Sequence, residues 1–384
     1  MKILKGLGIL VLIALVGLGI YFSLRGKSGT PKNNTGADTV SGRLPFIENA
    51  NRGSASGQST EETIGEANPR FGVLVSEPAI GYAIKDDLSL ISVNARGDIF
   101  ETKAGRTSRL TEGNGTANSI KLDPTGEFLA AMRGDASSTL FIYSLDKNLW
   151  QNTTLSADSF SWSKDGKTIT ASIPEAGESS IVLIDAATGK RTSVFAKLAI
   201  EDAVVSWAGS STVALSTRPN GYTKTIALLI EKNGKTTVID SATNGLSLSW
   251  SIEGTSGILS KGGYGLGETV FISMREGVKS TLPIKTMPDK CVVEEIDQSS
   301  SVPNTIICAV PNEEDFQGAL MPDDYLQGTV ESKDRLVRVY PKAGTITEIL
   351  GADRADIDAT DLMIKEGLLA FRNRIDGKIY GFRL

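Results

Sequence analysis

Histidine does not occur in the 384-residue chain. Its absence excludes a Ser-His-Asp triad, a Cys-His pair and every histidine-based zinc or iron centre. Acid–base work near neutral pH would fall to carboxylates, Lys or Tyr with shifted pKa values. Cysteine occurs only twice, at Cys291 and Cys308, too few for a cysteine-rich metal centre. No D-x-D-x-D-G run supplies the alternating oxygen ligands of a calcium loop. The Asp165-Gly166 and Asp376-Gly377 pairs read as hairpin turns in which glycine supplies positive φ. A basic patch is also missing. The first 70 residues carry eight Lys/Arg against five Asp/Glu, the rest 32 against 40, and the net charge is −5. That balance argues against a nucleic-acid partner. No catalytic residue, metal ligand or cofactor is assigned, and a non-enzymatic protein is expected.

Long apolar runs are absent except one. Gly6–Leu24 is 19 residues without a charge, close to the roughly 20 needed to span a bilayer. Lys2 and Lys5 precede it and Arg25 and Lys27 follow, so charge alone does not set its orientation. The run ends without a small-residue cleavage pattern. Residues 1–25 are read as an uncleaved transmembrane anchor, with a cleaved signal peptide as the alternative. Residues 26–69 are rich in Gly, Ser, Thr, Asn and Glu and poor in apolar side chains. Such a segment buries too little surface to offset its ordering entropy. It is expected to be a disordered tether with a span of about 35–40 Å.

From residue 71 onward, short runs of Val, Ile, Leu, Thr and aromatics alternate with Gly-bearing turns, and helical periodicity is hard to find. A phrase returns about every 43 residues: Phe160-Ser-Trp-Ser-Lys-Asp-Gly-Lys-Thr-Ile-Thr-Ala-Ser172, Val205-Ser-Trp-Ala-Gly-Ser-Ser-Thr-Val-Ala-Leu-Ser216 and Leu248-Ser-Trp-Ser-Ile-Glu-Gly-Thr-Ser-Gly-Ile-Leu-Ser260. Ile120-Lys-Leu-Asp-Pro-Thr-Gly-Glu-Phe-Leu-Ala-Ala-Met132 repeats it with Leu122 in place of Trp. A fixed period of this size marks a repeat architecture. Residues 159–195 divide into strands at Ser159–Trp162, Thr168–Ser172, Ser180–Asp185 and Arg191–Phe195, a four-stranded meander that makes one propeller blade. The predicted fold is an all-β propeller over 71–384, seven-bladed, with six or eight blades as alternatives. Its last unit runs out after three strands, and Phe71–Val75 is left over to close the ring as the fourth. Trp162, Trp207, Trp250 and Leu122 hold equivalent positions. They are assigned to packing between blades, since large aromatics dominate core energetics.

The Ser-Trp-Ser-Lys-Asp-Gly-Lys segment at 161–167 resembles the repeat of TolB-like, WD40-like propellers, roughly W-S-P-D-G-K followed by an apolar strand. Asp123-Pro-Thr-Gly-Glu-Phe-Leu129 is similar to it as well. The same repeat builds the N-terminal propeller of dipeptidyl-peptidase IV and prolyl-oligopeptidase enzymes. The Gly-His and Trp-Asp signature of true WD40 blades is absent. No hydrolase domain follows, and no G-x-S-x-G elbow with a downstream histidine is present. The resemblance therefore implies a non-catalytic propeller. The chain is also similar to membrane-anchored bacterial propellers.

Cys291 and Cys308 fall on the first and second strands of blade 6. Adjacent antiparallel strands bring two cysteines within bonding reach when the geometry cooperates, so a disulfide is expected, with buried thiols as the alternative. It would imply an oxidising compartment, placing the propeller outside the cytoplasm. The one clear interruption of the repeat is the insertion after Pro311. It concentrates Glu313, Glu314, Asp315, Asp323 and Asp324 around Phe316, Met321 and Tyr325. Insertions in repeat proteins gather on one face, often the binding face, so these eight residues are the candidate interaction loop; a solvated loop or short helix capping one end of the ring is the alternative. The functional expectation is a membrane-anchored extracytoplasmic scaffold with a protein partner at the membrane surface. The alternatives are a propeller enzyme working through carboxylates, of glycosidase or lyase type, and a structural surface component. No small-molecule ligand is assigned.

Overall fold

A chain of short, two-faced strands leaves unpaired edges unless the sheet closes or repeats radially. The computed structural model describes residues 71–384 apart from 114, 135–137, 210, 252, 275–277, 295–304 and 354–355. The expected anchor at 1–25 and tether at 26–69 lie outside the described residues. Among the described residues no helix is long and apolar enough to cross a membrane.

Seven sheets of four antiparallel strands make up the ring. Blade 1 comprises Gly81–Ile84, Leu90–Val93, Ile99–Lys103 and Arg106–Thr111. Blade 7 takes Ala359–Lys365, Leu368–Asn373 and Ile379–Arg383 from the end of the chain and Phe71–Val75 from the beginning. Phe71 pairs with Phe382 and Val75 with Ile379. The two ends of the described chain thus share one sheet, and the ring closes as the leftover strand predicts. Blade 3 differs in its limits. Its middle strands run on to Glu175 and Glu178, which pair across a two-residue turn, and its last strand reaches Leu198. The polar, proline-bearing tip reads as a loop, yet its backbone continues the ladder while its side chains are solvated.

Each of the seven blade interfaces has its own apolar cluster. Trp162 packs with Ala130, Leu140 and Ile142 of blade 2, and its indole N–H donates to the Lys121 carbonyl at 3.0 Å. Trp250 lies among Ala208, Ala214 and Leu229 of blade 4. Leu122 joins Ala83 and Ile91 of blade 1. Trp207 is half-buried. The serines of the phrase also link blades. Ser161 Oγ accepts from the Trp207 N–H at 3.0 Å, and Ser159 Oγ both donates to the Ala203 carbonyl and accepts from the Val205 N–H. These bonds occupy inner-edge backbone groups that no strand covers.

The turn glycine has a packing role beside its conformational one. Gly166 has φ 67°, and a Cβ there would lie 2.3 Å from Asp123 Oδ2 in the preceding blade. Gly189 has φ 66°, but a Cβ there meets nothing closer than Gln151 Oε1 at 3.5 Å. Gly189→Ala is expected to cost about 1–2 kcal/mol, the penalty of an L residue in the left-handed region. Gly166→Ala should cost clearly more, because Asp123 must also move. Urea denaturation of the two variants checks this, and equal losses would show that the contact between the blades is soft.

In an antiparallel meander the strand 2–3 and strand 4–1 connections share one face of the ring, and the strand 1–2 and 3–4 connections share the other. Ile379 leaves the strand 2–3 connection of blade 7, so its partner Val75 lies at that first face. Phe71, at the other end of the strand, lies at the opposite face.

Candidate functional site

The insertion, residues 312–333, is the strand 2–3 connection of blade 6. It contains a 3₁₀ turn at Glu313–Phe316, a two-residue strand at Leu320–Met321 and one helical turn at Asp323–Leu326. The two-residue strand pairs with Gly263–Tyr264 of blade 5. Phe316, Met321 and Tyr325 are buried, and with Met287 and Ala319 they form an eighth apolar cluster. The apolar residues of the candidate loop therefore point inward and hold it down as a cap.

The acidic residues of the loop divide. Asp323 Oδ2 accepts from the Gly221 N–H of blade 4 at 2.5 Å, and Asp324 Oδ2 from the Leu320 N–H at 2.7 Å. Asp315 Oδ2 accepts from the Lys333 N–H at 3.3 Å. Glu313 pairs with Lys285 at 2.6 Å, and Glu314 is exposed. Among the eight candidate residues, then, three are packing, three bind backbone N–H groups and two glutamates face solvent. Three glycines make room for the cap. A Cβ on Gly221, Gly245 or Gly262 would lie 2.8, 2.5 or 2.3 Å from the Met321 carbonyl oxygen.

Beneath the cap lies a polar network that the sequence does not announce. Lys290 is fully buried. Its ammonium donates to Asp334 Oδ2 and Asp358 Oδ1, both at 2.6 Å, to Ser332 Oγ at 3.1 Å and to the Ala359 carbonyl at 3.2 Å. The Tyr325 hydroxyl donates to Asp358 Oδ1 at 2.7 Å. Arg374 stacks on the Tyr325 ring at 3.6 Å, donates to the Tyr325 carbonyl at 2.8 Å and lies 3.4 Å from Asp358 Oδ2. Burial acts against the Lys290 charge, but the two carboxylates outweigh it and hold the ammonium above the ordinary lysine range. Burial pushes the Tyr325 hydroxyl up. Asp358 feels burial as well, yet Lys290 and Arg374 bring it below its ordinary value. Burial raises Asp334. Lys290, Asp358 and Arg374 come from three different connections and Asp334 opens the third strand of blade 6, and no local spacing links them.

Beside the solvent-facing glutamates of the cap, apolar side chains are exposed on the same face. Tyr222, Tyr264, Leu326 and Ile375 are 73, 82, 50 and 37% exposed. They lie on the strand 2–3 connections of blades 4, 5, 6 and 7, four consecutive positions on one face. Among the described residues no three acidic or cysteine side chains gather in a way that could hold a metal ion. The disulfide is present. Cys291 and Cys308 stand directly opposite on adjacent strands of blade 6, with Cα atoms 4.1 Å apart.

No protein-family model matches the chain, and no curated protein matches it. Solved structures do. The tricorn protease is similar at TM-score 0.52 and 14% identity over 83% of this chain, which spans only 34% of that one. An oligogalacturonate lyase from Vibrio parahaemolyticus is similar at TM-score 0.52 and 11% identity, over 80% of this chain and 90% of that one. TolB from Acinetobacter baumannii matches at TM-score 0.41 and 12% identity, over 80% of this chain and 64% of that one. Two of these neighbours are named as enzymes, and identities this low speak to the fold alone.

Proposed function

We propose that the protein is a membrane-anchored, extracytoplasmic propeller whose capped face docks a protein partner without catalysis. The observation that carries this reading is the row of Tyr222, Tyr264, Leu326 and Ile375 on four successive blades. Grouped exposed apolar side chains mark interaction surfaces, and scattered ones do not. Tyrosine supplies contact area at low entropic cost and is enriched among the residues that dominate binding. The cap is fastened by buried aromatics and an ion network, so the surface is organised before a partner arrives, which lowers the cost of binding. The disulfide supports an oxidising compartment, and the apolar run at 6–24 supports the anchor. Phe71, where the preceding chain joins the ring, lies at the face opposite the cap, so the row is clear of the tether's attachment.

Deleting residues 312–330 is a poor test, because it would strip Phe316, Met321 and Tyr325 from a buried cluster. Point changes at the surface are cleaner. A photo-crosslinking side chain at position 264 of the full chain, in its native membrane, is expected to capture one protein reproducibly. The same group at Leu149, exposed on the outer edge of blade 2, should not capture it. Tyr264→Ser with Leu326→Ser should weaken that complex by about 30-fold or more, equal to about 2 kcal/mol, with an unchanged melting temperature. An identical set of adducts at both positions would overturn the proposal.

A further inference from the structure

The two faces of the ring differ in charge. Among the described residues, the connections of the capped face expose ten acidic side chains against four basic ones. Those of the opposite face expose six acidic side chains against seven lysines. The acidity therefore belongs to the capped face and not to the surface at large. Three of the four bases there are already paired: Arg96 with Asp98 at 3.3 Å, Lys285 with Glu313 at 2.6 Å and Lys333 with Asp356 at 2.9 Å. The fourth, Arg218, acts on Asp158 at the start of blade 3. Glu77, Glu314, Glu331 and Asp353 are exposed and have no ion pair among the described residues.

These four carboxylates belong to the same sector as the apolar row. Glu314 and Glu331 share the blade 6 connection with Leu326, Asp353 lies on the connection from blade 6 to blade 7, and Glu77 on the one that leaves blade 7, which carries Ile375. The row itself is suited to cations as well as to apolar groups. A tyrosine ring attracts a guanidinium or ammonium over its face, and Tyr222 and Tyr264 present their rings to solvent. The same pairing is already made beneath the cap, where Arg374 stacks on Tyr325 at 3.6 Å.

We infer that the partner of the capped face presents a basic segment, one that carries Arg or Lys together with apolar side chains; this rests on the docking proposal above. The apolar groups cover Tyr222, Tyr264, Leu326 and Ile375, and the cations meet the tyrosine rings and the unpaired carboxylates. An acidic partner would set like charges against each other, which is costly. An anionic lipid surface would be repelled for the same reason. The opposite face of a second copy, with nearly equal numbers of both signs, offers no net complement. Rim charges of this kind set association rate and partner choice more than final affinity, so the signature of the inference is a dependence on salt and on charge sign.

Photo-crosslinking from position 264 of the full chain in its native membrane tests this when read against salt. The adduct is expected to fall about fivefold or more between about 50 and about 300 mM sodium chloride, as the exposed charges are screened. Glu314→Lys with Glu331→Lys and Asp353→Lys should lower it about tenfold or more at the lower salt. Lys232→Glu with Lys235→Glu, on the opposite face, should leave it unchanged. The crosslinked peptide of the partner should hold more Arg and Lys than Asp and Glu. A reproducible adduct that withstands both salt and charge reversal would overturn the inference and leave the docking surface standing. Identical adducts at 264 and 149 would overturn the docking surface and the inference with it. An adduct with lipid or with a second copy of this chain would overturn the basic partner. All three reversed positions are exposed, so the melting temperature should hold, and the salt arm stands without them.

Discussion

Lys290→Met is expected to cost about 3–5 kcal/mol of folding stability, a large part of the roughly 5–15 kcal/mol that a folded domain holds in reserve. The methionine matches the length of the stem but removes the only ammonium that Asp334 and Asp358 share at 2.6 Å. Two buried carboxylates would then face each other with hydroxyls, backbone N–H groups and Arg374 as their remaining partners. One of them would take a proton, and its raised folded pKa gives the damage a pH dependence. A carboxyl whose folded pKa exceeds its unfolded value binds more protons when folded, so stability falls as pH rises through that window. The variant should therefore lose less at pH 5 than at pH 8. The unaltered protein has a complementary signature in alkali. Lys290, Tyr325 and Tyr82 all hold their protons in the folded state above their ordinary pKa values. Unfolded, they would release them near pH 10 to 10.4. Their contribution is complete below about pH 10 and declines above it, and Lys290→Met should flatten that decline. Chemical denaturation at pH 5, 8 and 10.5 reads all three effects. A loss under about 1 kcal/mol at pH 8 would show that Lys290 is not what holds the network together.

The ring was legible because its signals are local. The Trp of each phrase, the turn glycine and the alternation of apolar residues recur at a fixed spacing, and each fits one blade of a propeller. Phe71–Val75 could be placed because a three-stranded final unit needs a partner. Cys291 and Cys308 could be paired because the blade template sets them on adjacent strands. The cap was located but its orientation was not. Acidic residues around Phe316, Met321 and Tyr325 fit an interaction loop or a segment capping one end of the ring, and spacing alone does not say which way the apolar three face. The structure turns those three inward, because the glycines at 221, 245 and 262 open a seat that only the assembled ring reveals. The network at Lys290 left no trace in the sequence, since a buried lysine and a solvated one look alike until the carboxylates at 334 and 358 are folded against it. The exposed Tyr222, Tyr264, Leu326 and Ile375 were missed for a related reason. Each is an ordinary loop residue alone, and only the blade register puts them in a row.

Replacing Cys291 and Cys308 together by alanine is expected to cost about 3 kcal/mol on the loop-entropy account, for a bridge that spans 17 residues. The physical need for the bridge lies in the connection it closes. Strands 1 and 2 of blade 3 end at Trp162 and begin at Thr168, whereas those of blade 6 end at Glu294 and begin at Thr305. The number of connecting residues doubles, which raises the closure cost by roughly 0.6 kcal/mol. The disulfide more than offsets that, and it does so inside the cluster that joins blade 6 to blade 5 through Ile258, Phe271 and Leu282. Alanine avoids burying two hydroxyls there, so the measured loss reports the bond and two small side chains. Equilibrium unfolding of the variant beside the unaltered protein, the latter with and without reductant, separates these contributions. The reduced protein should fall between the variant and the oxidised form. Both sulfurs are buried, so alkylation should require partial unfolding, and reduction of the native protein should be slow. A variant as stable as the oxidised protein would show that strand pairing alone holds the blade, and would remove the stability argument for an oxidising compartment.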